Sequence, residues 1–232
     1  MVVLRALEDS LYSIAEALRL CASRHPQLDL DPSEFGAGFR IVPSVDGDSL
    51  ALDIYLYDTL AGGAGYAELA DRYLDQILVD VLDLLEHCRG RCERSCESCL
   101  RHYHNQHLKD RLDRHVAAQL LRYAMFDVVP PEPEVDFQIA RLGPLKRMLQ
   151  LDGFTCHDGA NVAGVTVPLS VERNGRSLAV GLQSGLLTDA WDQHTLTSAM
   201  NAGRLRAVVL NDYILRRNLP DQHQLIRGEM GL

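Results

Sequence analysis

The sequence has 232 residues, which is enough for one large domain or two small ones. Hydrophobic residues make up 47% and charged residues 24% of the chain, values that exclude disordered, collagen-like and coiled-coil classes. No apolar run approaches the roughly 18 residues of a transmembrane helix, and Glu8, Asp9 and Glu16 interrupt the first twenty positions. We therefore expect neither a membrane partner nor a secretory signal.

The net charge of −9 is unevenly distributed along the chain. Residues 1–86 carry 5 basic and 16 acidic side chains, whereas residues 87–122 carry 8 basic and 4 acidic ones together with five histidines. The negative total argues against a protein that coats nucleic acid with its whole surface. The basic island at residues 87–122 is a candidate surface for a partner; the alternative is a helix whose charges are merely solvated.

The first half of the chain predicts helices around a small antiparallel sheet. Apolar residues spaced by three and four predict an amphipathic helix over residues 3–24, with a stripe formed by Leu4, Leu7, Leu11, Ile14, Leu18 and Cys21. Strict alternation over residues 49–57 predicts a strand, and Asp46-Gly47 signals a hairpin turn after a strand at residues 39–43. Two more helices are predicted over residues 66–86 and 108–125.

Three prolines and four acids in residues 127–136 predict an extended linker. We place the first domain at residues 1–128, the linker at 129–136 and the second domain at 137–232. The second domain predicts the order helix, strand, strand, strand, helix, strand, followed by a polar helical tail. The predicted fold is therefore α+β: a helical domain with a small antiparallel sheet, then a small α/β domain.

Four of the six cysteines lie within twelve residues, at Cys88, Cys92, Cys96 and Cys99. Four thiolates on a tight loop complete a tetrahedral zinc shell about 2.3 Å in radius, which leaves no position for water and so indicates a structural zinc. An iron–sulfur cluster, a redox pair and unligated thiols are the alternatives, and the redox pair lacks its usual βαβ setting. Four neighbouring histidines are spare ligands: His87, His102, His104 and His107. Without a secretory signal, we expect the reducing cytoplasm.

A glycine-rich turn with Gly62, Gly63 and Gly65 precedes the second predicted helix. The exposed N–H groups of a helix N-terminus favour an anion, so these glycines are a candidate phosphate-binding turn. No Lys-Ser/Thr pair follows, which excludes a Walker A loop. The alternative is a sharp strand-to-helix reversal that needs positive φ angles.

The segment after the cysteines interleaves basic, aromatic and amide side chains. Arginine and lysine contact phosphates and tyrosine stacks on bases, so this segment is a candidate DNA-binding face. The residues that we assign to it are Arg101, Tyr103, His104, Lys109, Arg111 and Arg114. The alternative is that they support the metal loop through hydrogen bonds.

The combined pattern resembles a known family. The segment Tyr57–Tyr66, a helix, the four cysteines, the run Ser95–Gln106 and Leu112-Asp113-Arg114 are together similar to the MrfA-type zinc-binding domain, over roughly residues 1–126. That family closes the C-terminal end of large superfamily 2 DNA helicases, including mitomycin-repair helicases and components of antiphage systems such as DISARM and Druantia. The resemblance implies that Cys88, Cys92, Cys96 and Cys99 hold the zinc.

The resemblance also implies partners. No Walker A loop occurs in the sequence, so we expect the helicase motor domains in an upstream part of the same chain or in a partner subunit. DNA is the expected ligand, and a homo-oligomer is a further expectation.

The order of elements in the second half is similar to the core of PD-(D/E)xK nucleases. Those enzymes hold a divalent metal with an Asp on the second strand and an acid-x-Lys on the third. Here the third strand offers Gly181 and Gln183 at the corresponding places, and the nearby carboxylates are Asp158 and Glu172. We therefore expect an inactive nuclease-like domain; an unrelated α/β module is the alternative.

Taken together, the sequence predicts a non-catalytic C-terminal module of a DNA helicase that binds or positions DNA and supports assembly, in antiphage defence or DNA repair. Two rival functions stay open. One is an active metal-dependent nuclease that uses Asp158 and Glu172. The other is a protein-interaction or dimerisation module without DNA contact.

Overall fold

A computed structural model describes residues 2–43, 50–187 and 191–232. The described chain divides into two compact units, Val3–Val129 and Pro130–Leu232. The predicted hairpin turn at Asp46-Gly47 lies outside the described residues. Among these residues no helix is long and apolar enough to cross a membrane.

The first unit consists of four helices and a two-stranded antiparallel sheet. Its elements are α1 (Val2–Arg24), β1 (Phe35–Pro43), β2 (Leu50–Asp58), α2 (Tyr66–Asp71), α3 (Leu74–Glu86) and α4 (Arg114–Phe126), with 3-10 turns at Pro32–Glu34 and Tyr103–Leu108. The predicted apolar stripe of α1 enters the core from Leu11 onward, whereas Leu4 is exposed. The core joins α1, α3 and α4 to the cysteine loop.

The two predicted helices that follow the sheet are shorter than expected. The helix expected over residues 66–86 breaks at Arg72 and Tyr73, where the Tyr73 ring stacks on His25 with centroids 4.6 Å apart. The helix expected from residue 108 begins only at Arg114, because Asp113 is extended and its side chain accepts a hydrogen bond from the His115 N–H. Periodicity alone does not reveal these tertiary contacts.

Two glycines in β1 have a packing reason. Gly36 pairs with Tyr57 and Gly38 pairs with Tyr55 across the ribbon. A Cβ atom at Gly36 would lie 2.2 Å from the Tyr57 ring, so each tyrosine ring lies directly over the backbone of its glycine partner. Aromatic rings that pack over glycines of a neighbouring strand in this way stabilise the pairing of the two strands.

The second unit has the predicted order of elements, and with the first unit it confirms the α+β fold. Helix α5 (Val135–Leu151) leads into β3 (Thr155–Val162), β4 (Val165–Arg173) and β5 (Arg176–Gln183); then come α6 (Thr195–Asn201), β6 (Ala207–Asn211), α7 (Asp212–Arg217) and α8 (Leu219–Glu229). The sheet order is β3-β4-β5-β6; β6 is parallel to β5, and the other pairs are antiparallel.

Both faces of the four-stranded sheet are partly covered. One face packs against α5 and the C-terminal helices, through a core that includes Leu142, Leu169 and Ile226. The other face packs against α6, with Leu196 and Ala199 in contact with Ala179. The C-terminal helices are not the polar tail that the sequence suggests, because Leu215, Ile226 and Met230 are buried in this core.

Candidate functional site

The four clustered cysteines meet at one point after the end of α3. Their Sγ atoms all lie within 4.8 Å of one another, and the four closest pairs are separated by 3.5 to 3.8 Å. Ligands about 2.3 Å from a tetrahedral zinc are about 3.8 Å apart. The sulfur atoms are therefore already close to the arrangement that zinc requires, and no backbone movement is needed to bring them together.

Two tight turns present the sulfur atoms in pairs. The Arg91 N–H donates to the Cys88 carbonyl at 2.9 Å, and the Cys99 N–H donates to the Cys96 carbonyl at 3.0 Å. Gly90 lies against the cluster, because a Cβ atom there would be only 3.0 Å from the Cys96 sulfur. Any side chain at this position would push into the space that the sulfur atoms occupy.

The protonation of these thiols differs from one cysteine to the next. Burial acts to raise the pKa of Cys88, but hydrogen bonds from the Cys92 N–H and the Cys96 thiol lower it to about 6. Burial raises the pKa of both Cys92 and Cys99. Because a bound metal needs thiolates, zinc binding displaces protons from the raised pair, and the affinity for zinc falls as the pH falls.

Two of the four neighbouring histidines contact carboxylates instead of the cysteines. His87 Nδ1 lies 2.9 Å from an Asp83 carboxylate oxygen, and His102 Nε2 lies 2.9 Å from Glu16. Among the described residues, the four cysteines form the single group of three or more His, Cys, Asp or Glu side chains close enough to share a metal ion. The donor set is therefore all sulfur, as a closed structural zinc shell requires.

Arg114 supports the cysteine loop from beneath. Its Nη1 donates to the carbonyls of Leu85 and Glu86 at the end of α3, and its Nε donates to the Cys92 carbonyl at 3.2 Å. The residue is 8% exposed. A cation at a helix C-terminus also interacts favourably with the helix dipole. Arg114 therefore ties one of the metal ligands to the preceding helix, and it does not lie on a free surface.

A buried polar network anchors the other side of the loop to α1. Glu16 accepts a hydrogen bond from Asn105 Nδ2 at 2.8 Å, forms an ion pair with Arg19 at 2.9 Å and contacts His102. Burial acts to raise the pKa of Glu16, but His102, Arg19 and Asn105 together lower it, so this carboxylate is ionised at neutral pH. Sequence reasoning missed this network because its members are up to 89 residues apart.

The six predicted DNA-binding residues fall into two groups. Tyr103, His104 and Lys109 are exposed on the 3-10 turn and just after it, and half-buried Arg101 donates to Ser95 Oγ at 2.9 Å. Arg111 instead pairs with Glu8 and Asp9 of α1, at 2.7 and 2.5 Å. Together with buried Arg114, it belongs to the internal framework of the unit.

The glycine-rich turn already holds an anion. The Asp58 carboxylate accepts hydrogen bonds from the N–H groups of Ala64, Gly65, Tyr66 and Ala67, at 2.6 to 3.2 Å. Gly62, Gly63 and Gly65 all have φ between 75° and 92°, which is the positive-φ reversal that the sequence leaves open. The N–H groups that a phosphate would need at this turn are therefore bonded to a side chain of the same chain.

Comparison with known proteins agrees with this geometry. Residues 14–100 match the family model described as the MrfA Zn-binding domain. This match lies within the first unit and includes all four cysteines. Zinc is thus its metal, and the four cysteines are positioned to hold it. The expected resemblance and the expected cofactor are both confirmed.

The chain is also similar to the Druantia protein DruE of Escherichia coli (strain UMEA 4076-1). The two are 51% identical over 227 residues, which cover 97% of this chain. The chain spans only 12% of the length of that protein. No solved structure matches the chain significantly, so the nuclease likeness of the second unit stays a prediction.

The two carboxylates considered for a nuclease site do not converge. In the β3–β4 register Asp158 is opposite Leu169 and Glu172 is opposite Thr155. Because Leu169 and Glu172 are three positions apart on one strand, Asp158 and Glu172 lie on opposite faces of the sheet. The Asp158 carboxylate forms an ion pair with Lys146.

The corresponding positions on β5 are also unsuited to a metal. A Cβ atom at Gly181 would lie 2.8 Å from the Leu196 side chain, which leaves no room for a carboxylate. The side chain of Gln183 is buried and accepts a hydrogen bond from the Trp191 N–H. Neither position supplies an acidic ligand.

Our first prediction concerns the metal. The purified protein is expected to contain about one zinc ion per chain, because four thiolates complete one tetrahedral shell. Cys96→Ser is expected to lose the metal and lower the thermal stability of the first unit, as measured by elemental analysis and calorimetry. Cys156→Ser, in the second unit, is the control that keeps its zinc. Protein with no metal, or with iron and visible absorbance, would contradict this assignment.

The second prediction concerns Arg114. Replacement by Met leaves one buried and two partly buried carbonyls without this donor and is expected to lower the free energy of unfolding by about 2 to 4 kcal/mol. Arg122→Met on the same helix removes a partly exposed ion pair with Glu86 and is expected to cost less than about 1 kcal/mol. Urea unfolding measures both values, and equal losses would argue against the supporting role of Arg114.

Proposed function

We propose that this chain is a non-catalytic zinc-binding module that binds or positions DNA beside helicase motor domains, in antiphage defence or DNA repair. The similarity to a Druantia protein supports the association with defence. The MrfA Zn-binding domain supports the association with a helicase, through the family described above. The motor domains belong either to a longer form of this chain or to a partner subunit.

The observation that carries the DNA-binding part is the exposed ring of Tyr103. It is 80% exposed, far more than a tyrosine that contributes to a core. Arg101 and Lys109 line the same open groove, which has a volume of about 610 Å³. A groove that is lined by a tyrosine ring and two cations suits a nucleic-acid strand, since bases stack on the ring while phosphates pair with the cations.

The surroundings of this loop supply rigidity. The zinc ligands precede Tyr103, and the Glu16 network holds the backbone on both sides of it through His102 and Asn105. A surface that is ordered before binding loses less conformational entropy when a ligand arrives. The zinc therefore serves DNA binding indirectly, because it fixes the loop that presents the ring and the cations.

The proposed DNA face is narrower than the sequence predicts. It keeps Arg101, Tyr103, His104 and Lys109 and leaves out Arg111 and Arg114, whose side chains bond to the protein itself. Reversing the charge of the last two residues would therefore test folding, not DNA contact.

One observation favours the rival function of a protein-interaction module. Four large apolar side chains at and after the end of α4 are between 42% and 53% exposed: Tyr123, Phe126, Val128 and Val129. Contiguous exposed apolar groups mark contact surfaces in many proteins. Docking onto a helicase core or dimerisation through these residues is compatible with DNA binding at Tyr103, since the two surfaces share no residue.

The third prediction tests DNA binding. Tyr103→Ala is expected to weaken binding of a labelled single-stranded oligonucleotide at least about fivefold, because one stacked base contributes about 1 to 3 kcal/mol. Tyr103→Phe keeps the ring and is expected to bind normally, and Tyr123→Ala is the matched control for loss of an exposed tyrosine. Lys109→Glu is expected to weaken binding and to reduce its salt dependence. Fluorescence anisotropy over a salt series measures these effects.

If folded Tyr103→Ala and Lys109→Glu variants bind as tightly as the parent protein, the contact surface lies elsewhere. If the parent protein shows no salt-dependent binding at all, the interaction-module reading replaces the proposal.

The fourth prediction is that the chain does not cut DNA. Hydrolysis by this architecture needs carboxylates that share a metal and activate a water molecule. Asp158 and Glu172 lie on opposite faces of the sheet and do not provide this arrangement. Single- and double-stranded DNA are expected to stay intact under Mg²⁺ and Mn²⁺. Cleavage that disappears in Asp158→Ala would make the second unit an enzyme.

A further inference from the structure

A groove in the second unit lies beside the turn between β4 and β5. It is bounded by the start of β5, by Ser170 and Glu172 on β4, and by the segment Arg204–Arg206 that leads into β6, and it encloses about 390 Å³. A second hollow adjoins it across the same segment and extends toward Met200 at the end of α6. Arg204, Leu205 and Arg206 thus form a ridge with an open hollow on either side.

The lining of the first groove is positively charged. Arg176, Arg204 and Arg206 line it together with one acid, Glu172, and Arg206 also lies 3.9 Å from the Glu229 carboxylate. This is a local reversal in a chain whose net charge is −9. Two serines, Ser170 and Ser177, add hydroxyl groups to the same wall. Concave surfaces lined by one sign of charge concentrate ions of the opposite sign.

Two of the three arginines are fixed at one end. Arg176 Nη1 donates to the Met230 carbonyl at 2.8 Å, and Arg206 Nη2 donates to the Glu229 carbonyl at 2.7 Å. A guanidinium has five N–H donors, so each of these bonds orients the side chain and leaves further donors for a ligand. The two arginines are therefore held at the groove by the last turn of α8.

Arg204 differs from the other two. Its backbone N–H donates to the Ala199 carbonyl at 3.0 Å, which fixes the residue against the end of α6. Within the part of the chain that the structure describes, its guanidinium forms no hydrogen bond or ion pair, and the residue is exposed. The groove thus combines an anchored backbone with a cationic group that is available to a ligand.

We propose that this groove binds a phosphate group of a DNA backbone, as a second contact site on the second unit. Arginine guanidinium and serine hydroxyl groups are common phosphate ligands in protein–DNA complexes. The inference depends on the proposed function only for the source of the phosphate. The contact is non-catalytic, because Glu172 is the one carboxylate in the lining and a lone carboxylate does not assemble a metal-dependent hydrolase.

Amide resonances of the full 232-residue chain, recorded by NMR, provide the first test. Titration with inorganic phosphate at constant ionic strength is expected to shift the signals of Ser177, Leu178, Leu205 and Arg206 in a saturable way. The shifts are expected to vanish in Arg204→Glu. Absence of saturable shifts in the parent protein overturns the proposal.

A single-stranded oligonucleotide provides the second test and identifies the source of the phosphate. It is expected to shift the same signals, and Arg204→Glu is expected to weaken its binding about five- to tenfold, with a smaller salt slope. Shifts with inorganic phosphate but not with DNA assign the groove to a free phosphate-type anion and overturn the DNA source.

The matched control is Arg147→Glu, which makes the same change of charge at an exposed residue of α5 that does not line the groove. It is expected to bind DNA like the parent protein. Equal weakening by both variants would indicate a general charge effect and overturn the proposal. Tyr103→Ala separates the two DNA sites. If this variant loses oligonucleotide binding but keeps the phosphate shifts, the loss concerns the site in the first unit. If it binds the oligonucleotide normally, the site in the first unit is wrong, and the phosphate titration still decides on the groove.

Discussion

Four sulfur atoms within 4.8 Å of one another do not remain there as anions without a cation between them. This constraint governs the loop between α3 and α4. The described residues of this loop form one 3-10 turn and otherwise no regular secondary structure. A zinc ion at the centre attracts all four thiolates and so offsets their mutual repulsion. Arg114 and Glu16 then hold opposite sides of the loop. Zinc, the Arg114 cation and the Glu16 anion thus stabilise the loop in place of the regular backbone hydrogen bonds of a helix or sheet.

The uneven charge of the sequence acquires a structural meaning from these contacts. Part of the acidic excess in residues 1–86 lies on α1 and faces the basic island of residues 87–122. Glu8 and Asp9 pair with Arg111, and Glu16 contacts His102. Arg111 is therefore neutralised within the unit. The cations that stay exposed include Lys109 near Tyr103 and Arg89 and Arg91 on the cysteine loop, so an acidic protein still presents a basic surface here.

The features that the sequence predicts correctly are those with local signals. The cysteine spacing alone locates the metal centre, and period-two and period-3.6 patterns locate most strands and helices. The roles of the basic residues are not local, because the partners of Arg111 are 102 and 103 residues away and those of Arg114 are 22 to 29 residues away. An arginine that caps a helix and one that binds DNA look alike in a sequence. The glycine-rich turn is similar: its spacing indicates an anion but does not reveal that the anion is Asp58.

The Asp58 carboxylate is a counter-ion covalently tethered to the N–H groups that it satisfies. A tethered group has a high effective concentration at its site, so a freely diffusing anion competes with it at a disadvantage. Burial acts to raise the pKa of Asp58. Four backbone hydrogen bonds have the larger effect and hold this pKa below its usual value; they come from Ala67, Ala64, Gly65 and Tyr66. The corner between β2 and α2 therefore keeps its geometry in media of differing anion content and loosens only under acid conditions, as the pH falls through that lowered pKa. The strand and the helix are thus held together at this corner by a side chain of the protein itself.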